Sequence, residues 1–220
     1  MFLAIIKLIL YPATIVIAFY RAEKLICNPG NCFKQIFAPP GTGKTTLAAK
    51  IVKDSNENGR QVYSNVPIIT AKQFDLKDLG VYDFSHSTII IDEAGAKIGN
   101  RDWHKNLNKD QIEALKLHRH DDIDIYLFSQ AYDDVDKKFR DLTTQIVMLS
   151  KSKIPFFVKG TAIKKTMQLI NGQILQFFEI DKANCFKFFV VDKWAYFNSY
   201  QSKNLPKKET EIQYMKSDTI

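Results

Sequence analysis

The chain has 220 residues, of which 45% are hydrophobic and 25% charged, and it carries a net charge of +7. This composition excludes an intrinsically disordered protein and is sufficient for one large packed domain, or for one domain with appendages. From Lys151 onward there are 12 basic and 6 acidic residues, so most of the positive excess lies in the last third. That excess suits nucleic acid or anionic lipid, or a solvated surface. Cys27, Cys32 and Cys185 make an odd count without metal-ligand spacing, which indicates structural thiols in a reducing compartment.

The first predicted element is an apolar helix at the N-terminus. Residues 2–20 contain one charge, Lys7, and a helix of this length spans about 28 Å, close to the roughly 30 Å hydrocarbon core of a bilayer. We therefore predict a transmembrane or membrane-anchor helix over residues 1–21, with Arg21 and Lys24 placing the following domain on the cytoplasmic side. A buried N-terminal helix of the globular domain is the alternative, whereas a cleavable signal peptide is disfavoured because the charge lies inside the run.

A glycine-rich turn follows, between a predicted strand over residues 35–38 and a predicted helix over residues 45–53. The turn fits the P-loop pattern of glycine, four residues and Gly-Lys-Ser/Thr, except that Ala38 holds the first glycine position. Such a turn cradles phosphates with its backbone N–H groups, while its lysine reaches the β- and γ-phosphates and its threonine hydroxyl ligates Mg²⁺. An ordinary Gly/Pro surface turn is the alternative. The residues predicted to bind ATP are Pro40, Gly41, Thr42, Gly43, Lys44, Thr45 and Thr46.

Two further strands are predicted at residues 61–69, near the sheet edge, and at residues 88–94. The second contains three consecutive isoleucines, which suit a strand buried on both faces, and it ends in Asp92-Glu93. The carboxyl ends of parallel strands are where α/β sheets bind ligands. We expect Thr45 and Asp92 to hold Mg²⁺, and Glu93 to orient or deprotonate the attacking water. An Asp-Glu pair that only caps the next helix is the alternative.

A helix over residues 108–120, a buried strand over residues 123–130 and a fifth strand over residues 144–150 complete the predicted core. If the strand ending in Ser129-Gln130 lies between the other two strands of the site, those that precede the glycine-rich turn and Asp92-Glu93, Gln130 is placed to sense the γ-phosphate. Hydrolases of this class commonly use an arginine from a neighbouring subunit, which implies a homo-oligomer. Arg140 is the preferred candidate, with Arg119 as the second choice and a plain ion pair of Arg140 with Asp136 as the alternative.

The predicted fold is an α/β P-loop NTPase with a five-stranded, mainly parallel sheet over residues 34–150. A β-rich extension of hairpins over residues 151–200 and a polar tail over residues 201–220 follow it. Aromatic runs in the extension are typical of a hairpin core; a stacking platform for nucleic acid is the alternative.

Several short motifs together resemble the zonular occludens toxin family, which includes the filamentous-phage assembly ATPases. They are Asn65-Val66-Pro67-Ile68, Ile91-Asp92-Glu93-Ala94, Leu117-His118-Arg119-His120, Ser129-Gln130 and Tyr196-Phe197-Asn198-Ser199-Tyr200. The resemblance implies an ATPase that drives assembly and export of single-stranded-DNA phage at the host inner membrane, facing the cytoplasm, with phage coat and assembly proteins and single-stranded DNA as partners. A DNA-translocating or replicative ATPase and a non-enzymatic nucleotide-binding membrane adaptor or toxin are the alternatives.

Overall fold

The computed structural model describes residues 32–98, 109–153, 157–170 and 173–189. Within these ranges, no helix is both long and apolar enough to cross a membrane. The membrane helix predicted over residues 1–21 and the tail predicted over residues 201–220 lie outside the described residues.

Six strands of the described chain form the parallel part of one central sheet. They are β1 (Phe33–Phe37), β2 (Gln61–Ser64), β3 (Lys72–Gln73), β4 (Ser87–Ile91), β5 (Asp124–Ser129) and β6 (Gln145–Lys151). Their order is β3-β2-β4-β5-β1-β6, and every neighbouring pair is parallel. The mainly parallel α/β core is therefore confirmed, but its parallel part has six described strands and not the five predicted, because β3 adds one at the edge. β2 ends at Ser64, earlier than predicted, and the two-residue β3 occupies the edge instead.

The described helices are α1 (Lys44–Glu57), α2 (Ala94–Lys97), α3 (Lys109–Leu117) and α4 (Lys137–Leu142). α1 buries Leu47, Ala48, Ile51 and Val52, a spacing that places all four on one side of a helix. It ends at Asn58, whose N–H donates to Asp54 O at 3.1 Å.

Each face of the sheet has its own hydrophobic core, because successive residues of a strand point to opposite faces. In β4, Ile90 packs on the α1 side, whereas Ile89 and Ile91 pack on the side of α2, α3 and α4. All five residues of β4 and all six of β5 are buried. These two strands therefore have the double-sided burial that their aliphatic sequences predicted.

The sheet continues beyond β6 with antiparallel strands. β7 (Phe157–Ile170) pairs with β6, and its other edge pairs with β8 (Gln173–Ile180) and β9 (Phe186–Phe189). The predicted hairpin region is thus part of the same sheet as the nucleotide-binding core. Gly160 allows this join, because a side chain there would collide with the Phe186 ring that covers it.

Two buried titratable groups lie next to Phe33, the first residue of β1: Cys32 precedes it in the chain, and His118 packs on its ring. His118 is buried; its Nδ1–H donates to Leu115 O at 2.8 Å and its ring packs edge-on against Phe33 at 5.4 Å. Burial lowers the pKa of His118. Burial also raises the pKa of the Cys32 thiol to about 12, so it is a structural thiol.

Candidate functional site

The glycine-rich turn lies between the end of β1 and the start of α1, as predicted. Gly41 and Gly43 have φ angles of 71° and 106°, in the left-handed region that favours glycine. Gly43 is the N-cap of α1, and Val158 and Phe188 lie 3.5 and 3.8 Å from where its Cβ would stand. β7 and β9 therefore support the turn from the side of the antiparallel strands.

The N-terminus of α1 is left free for an anion. No side chain caps it and its first turn holds no acidic residue. No residue of this turn therefore supplies a negative charge for the positive end of the helix dipole, or a side-chain acceptor for the N–H groups of the first helical turn. Phosphate oxygens match both features, because they carry negative charge and accept hydrogen bonds.

The Lys44 side chain folds back along the turn. Its Nζ donates to Ala38 O at 2.6 Å and lies 3.4 Å from Pro39 O, which also accepts a 2.8 Å hydrogen bond from the Thr42 hydroxyl. Partial burial lowers the pKa of Lys44, and the nearby carboxylates of Asp92, Asp134 and Glu93 oppose that effect. The Lys44 ammonium thus lies in the electrostatic field of carboxylates that follow two neighbouring strands, β4 and β5.

Asp92 is the first of these carboxylates and lies at the end of β4. It is buried, and its Oδ1 accepts the Glu93 N–H at 2.9 Å. The Asn65 side chain, just after β2, holds the Asp92 backbone from both sides. Asn65 Oδ1 accepts the Asp92 N–H at 2.7 Å, and Asn65 Nδ2 donates to Asp92 O at 2.9 Å. Asn65 therefore fixes the position of Asp92.

Glu93 follows in a strained backbone conformation. Its φ is 53°, which is uncommon for a residue with a Cβ, and its side chain is exposed at the start of α2. Such left-handed residues are concentrated at functional sites, where the surrounding structure holds them in place. The conformation turns the chain sharply between the buried Asp92 and α2.

β5 lies between β4 and β1, the arrangement that the prediction for Gln130 required. Ser129 O accepts the Ala38 N–H at 3.3 Å, so the end of β5 adjoins the start of the turn. Gln130 comes next and is exposed. Its place at the edge of the site agrees with the prediction, and its sensing role stays a prediction.

Sequence reasoning missed Asn65 as a site residue, and it also missed Asp134. Asp134 follows β5, accepts the Ala131 N–H at 2.6 Å, and packs so closely on Gly95 that a Cβ there would lie 2.7 Å from Asp134 Cβ. The only sequence signal was the acidic pair Asp133-Asp134 soon after a buried strand. That pair gains a place beside the site only because α2 folds back against the turn that contains Asp134.

Arg140 is held within its own chain. Its guanidinium lies over the Tyr132 ring, 4.7 Å from the centroid, and pairs with Asp133. The ion pair with Asp136 does not form, because the Asp136 carboxylate caps α4 by accepting the Lys138 N–H at 2.8 Å. A role in a neighbouring subunit requires Arg140 to leave both contacts, and that role stays a prediction.

The residues present fit a Mg²⁺ ion that is bound together with a nucleotide. The Thr45 hydroxyl at the start of α1 and the Asp92 carboxylate are hard oxygen donors, and Mg²⁺ is usually held by one or two protein oxygens, waters and substrate phosphates. Among the described residues, no cluster of three or more His, Cys, Asp or Glu side chains forms a metal site.

This strand, turn and helix, with carboxylates at the ends of adjacent parallel strands, define a P-loop nucleotide-binding protein. The chain belongs to the zonular occludens toxin (Zot) family, whose sequence profile matches residues 68–183, more than half of the 220 residues. The family resemblance is therefore confirmed. The matched range includes Asp92, Glu93, Gln130 and Arg140, and it begins after Lys44.

Solved structures give distant similarities. The N-terminal domain of zonular occludens toxin from Neisseria meningitidis is 18% identical, with a TM-score of 0.45 over 69% of this chain and 95% of that one. The genome packaging NTPase B204 from Sulfolobus turreted icosahedral virus 2, in complex with ATP-gammaS, is 12% identical, with a TM-score of 0.46 over 71% and 98%. The flagellar accessory protein FlaH from Methanocaldococcus jannaschii is 12% identical, with a TM-score of 0.44 over 70% and 94%. Comparison with curated proteins gives no match.

Proposed function

We propose that the protein is a membrane-anchored, Mg²⁺-dependent ATP hydrolase that drives assembly and export of filamentous single-stranded-DNA phage. The observation that carries the enzymatic part is the position of Asp92 and Glu93 directly after β4, one strand away from the β1 end that bears the glycine-rich turn, beside an open helix N-terminus. A scaffold that only binds nucleotide needs the turn but not carboxylates beside it. Membership of the Zot family supports the biological part.

Each residue has a distinct task in this proposal. The Gly41–Thr46 backbone and Lys44 bind and orient the phosphates, and Lys44 exchanges its bonds to Ala38 O and Pro39 O for phosphate oxygens. Mg²⁺, held by Thr45 and by Asp92 through water, would neutralise charge on the phosphate oxygens. Glu93 orients the attacking water and accepts its proton, and Gln130 contacts the γ-phosphate.

We further propose that the active site is completed in a homo-oligomer, with Arg140 of one subunit supplying positive charge to the next. In hydrolases of this class, the positive charge of such an arginine raises kcat by a factor of about 10³ to 10⁵. Arg140 lies on α4, shortly after the β5 end that carries Gln130, which supports this choice.

The proposed location is the host inner membrane. The apolar run over residues 2–20 and the following Arg21 and Lys24 support an anchor with the ATPase domain in the cytoplasm, where ATP is available. Phage coat and assembly proteins are the proposed partners at that membrane.

A DNA-translocating ATPase is the second candidate, and a specific surface favours it. Lys159 on β7 and Lys187 on β9 stand directly opposite each other, and both are exposed. Like charges at such positions repel, and a polyanion such as single-stranded DNA relieves the repulsion. Lys164 and Lys165 are less suited to this role, because Lys164 pairs with Asp181 at 3.1 Å and Lys165 donates to Arg140 O.

The test separates nucleotide binding from turnover. Lys44→Ala should abolish ATP binding, whereas Glu93→Gln should bind ATP and Mg²⁺ normally and hydrolyse on the order of a hundredfold more slowly. Lys53→Ala is the matched control, since Lys53 is an exposed lysine of the same helix, paired with Glu57 at 3.7 Å. Unchanged hydrolysis in Glu93→Gln would contradict the assigned base. Hydrolysis stimulated by single-stranded DNA and weakened by Lys159→Ala and Lys187→Ala would favour the second candidate.

A further inference from the structure

The far half of the β7–β8 hairpin projects from the sheet. β6 begins at Gln145, and its Ile146 pairs with Ile163 of β7, so residue 164 is level with Gln145 and residues 165–170 extend beyond the start of β6. A strand of this length covers about 20 Å at roughly 3.4 Å per residue. In this stretch β7 pairs with β8 alone among the described strands.

Beyond Lys165, the projecting ribbon is uncharged and carries apolar side chains on both faces. Residues 166–178 contain no charged residue, although charged residues make up 25% of the chain. Cross-strand partners share a face, so Met167, Leu169 and Phe178 lie on one face, and Ile170, Leu175 and Phe177 on the other. These six residues are between 38% and 73% exposed, and Phe178, at the base of the ribbon, also packs edge-on against the Tyr132 ring at 5.8 Å.

Such a ribbon is unusual for a surface that meets only water. Two-stranded hairpins are marginally stable by themselves, and large exposed apolar patches mark interaction sites. A protein partner that docks on one face would leave the apolar side chains of the other face in water. A lipid phase surrounds whatever enters it and therefore covers both faces at once.

The position of the ribbon in the fold also favours lipid. β1 and β6 are parallel, with Lys34 level with Gln145, so Cys32 lies at the edge of the sheet from which the ribbon projects. The apolar run of residues 2–20 precedes Cys32 by the eleven residues 21–31, which reach at most about 38 Å when extended. A bilayer that holds that run is within reach of a ribbon projecting about 20 Å past the same edge.

We propose that the tip of the β7–β8 hairpin is a second membrane-contact element, which inserts into the interfacial region of a phospholipid bilayer. This inference rests on the proposed membrane location. The unpaired backbone groups along the β7 edge limit the depth, because they need water and the hydrocarbon core has none. Insertion by about 5 to 10 Å, as for other interfacial elements, immerses Leu169, Ile170 and Leu175 and leaves Lys164, about 20 Å from Ile170, on the aqueous side.

The experiment uses the full chain with Cys27, Cys32 and Cys185 replaced by Ala, and one cysteine that carries an environment-sensitive fluorophore. Leu169→Cys and Leu175→Cys report the two faces of the tip. Lys187→Cys is the matched control, because Lys187 is exposed on β9 and pairs with the first half of β7, away from the projecting half. Retained ATP binding verifies that each labelled chain is folded.

The probes are vesicles of phosphatidylcholine and phosphatidylglycerol that carry nitroxide quenchers in the headgroup or the acyl chain. The fluorescence emission of the labels at 169 and 175 should shift to the blue when vesicles are added. The nitroxides should quench these labels several-fold more strongly than the label at 187. Equal quenching at all three positions would overturn the proposal. A second result would also overturn it: a blue shift of the labels at 169 and 175 that increases with protein concentration in the absence of lipid. That result would mean that the tip binds a second copy of the chain.

Co-sedimentation of the chain with the vesicles separates this inference from the proposed location. Chains that sediment without quenching at 169 or 175 would overturn the role of the hairpin and leave the membrane location standing. Chains that do not sediment would overturn both. ATP hydrolysis, measured on the same samples, reports the proposed enzymatic function independently.

Discussion

Replacing Asn65 with Ala tests whether the two hydrogen bonds from the Asn65 side chain to the Asp92 backbone matter for turnover. The substitution removes two hydrogen bonds, of 2.7 and 2.9 Å, from the backbone of a residue whose side chain is 6% exposed. Buried backbone groups that lose their partners cost about 1 to 3 kcal/mol, and water can reach the half-buried Asn65 position to recover part of that cost. We therefore expect the free energy of unfolding to fall by about 1 to 2 kcal/mol.

The larger effect should appear in catalysis. A displacement of about 1 Å at a catalytic group can cost roughly a hundredfold in rate, so kcat should fall by about 10- to 100-fold while the KM for ATP changes little. Asn65→Asp keeps the acceptor for the Asp92 N–H but loses the donor to Asp92 O. Its kcat should therefore lie between those of Asn65→Ala and the wild type.

The assays are phosphate release over a range of ATP concentrations and unfolding in urea. Asn56→Ala is the matched control, because Asn56 Nδ2 also contacts two oxygens, Thr70 O at 3.2 Å and Thr70 Oγ1 at 2.9 Å, on the exposed surface. A loss of unfolding free energy in Asn65→Ala with an unchanged kcat would refute the reasoning, since Asn65 would then be structural only.

Three further predictions concern the turn, a buried histidine and the subunit interface. Gly43→Ala should weaken ATP binding more than tenfold in a calorimetric titration, whereas Gly59→Ala, which has a φ of 75° and open space around it, should lower stability without affecting binding. Burial lowers the pKa of His118, so below about pH 6.5 the unfolded chain binds a proton that the folded chain does not. Stability should therefore decline as the pH falls through that range, and urea unfolding of His118→Phe should show a weaker decline. Mixing Arg140→Ala chains with Lys44→Ala chains in detergent should restore part of the hydrolysis that each lacks alone; full hydrolysis by Arg140→Ala would instead point to Arg119.

The elements around the turn could be predicted because their signals are local. Gly43, Lys44 and Thr45 stand in a fixed register between a short apolar strand and a helical repeat, and three isoleucines before Asp92 specify a buried strand. Such patterns depend on residues that are near neighbours in the chain. The parallel direction of these strands then follows from the crossover connections that join them.

The contacts that refine the site are not local and were missed for that reason. Asn65 meets the backbone of Asp92 only once β2 and β4 have paired in register, 27 residues apart in the chain. Asp134 packs on Gly95 only because α2 folds against the turn after β5. Arg140 pairs with Asp133 because Asp136 is already used as a helix cap, a competition that i,i+4 spacing does not reveal.

β7 connects two distant parts of the molecule by one unbroken strand. Val158, near its beginning, stands beside Gly43 of the phosphate-binding turn, and Ile170, at its end, belongs to the projecting tip. A strand is nearly inextensible along its axis, and the 14 residues of β7 make a strut of about 45 Å. Tension or compression applied at the tip therefore reaches the nucleotide-binding turn without passing through a loop, and a change of shape at the turn reaches the tip by the same route. A single strand thus gives this fold a mechanical linkage between the phosphate-binding turn and the opposite end of the sheet, at which Cys32 lies.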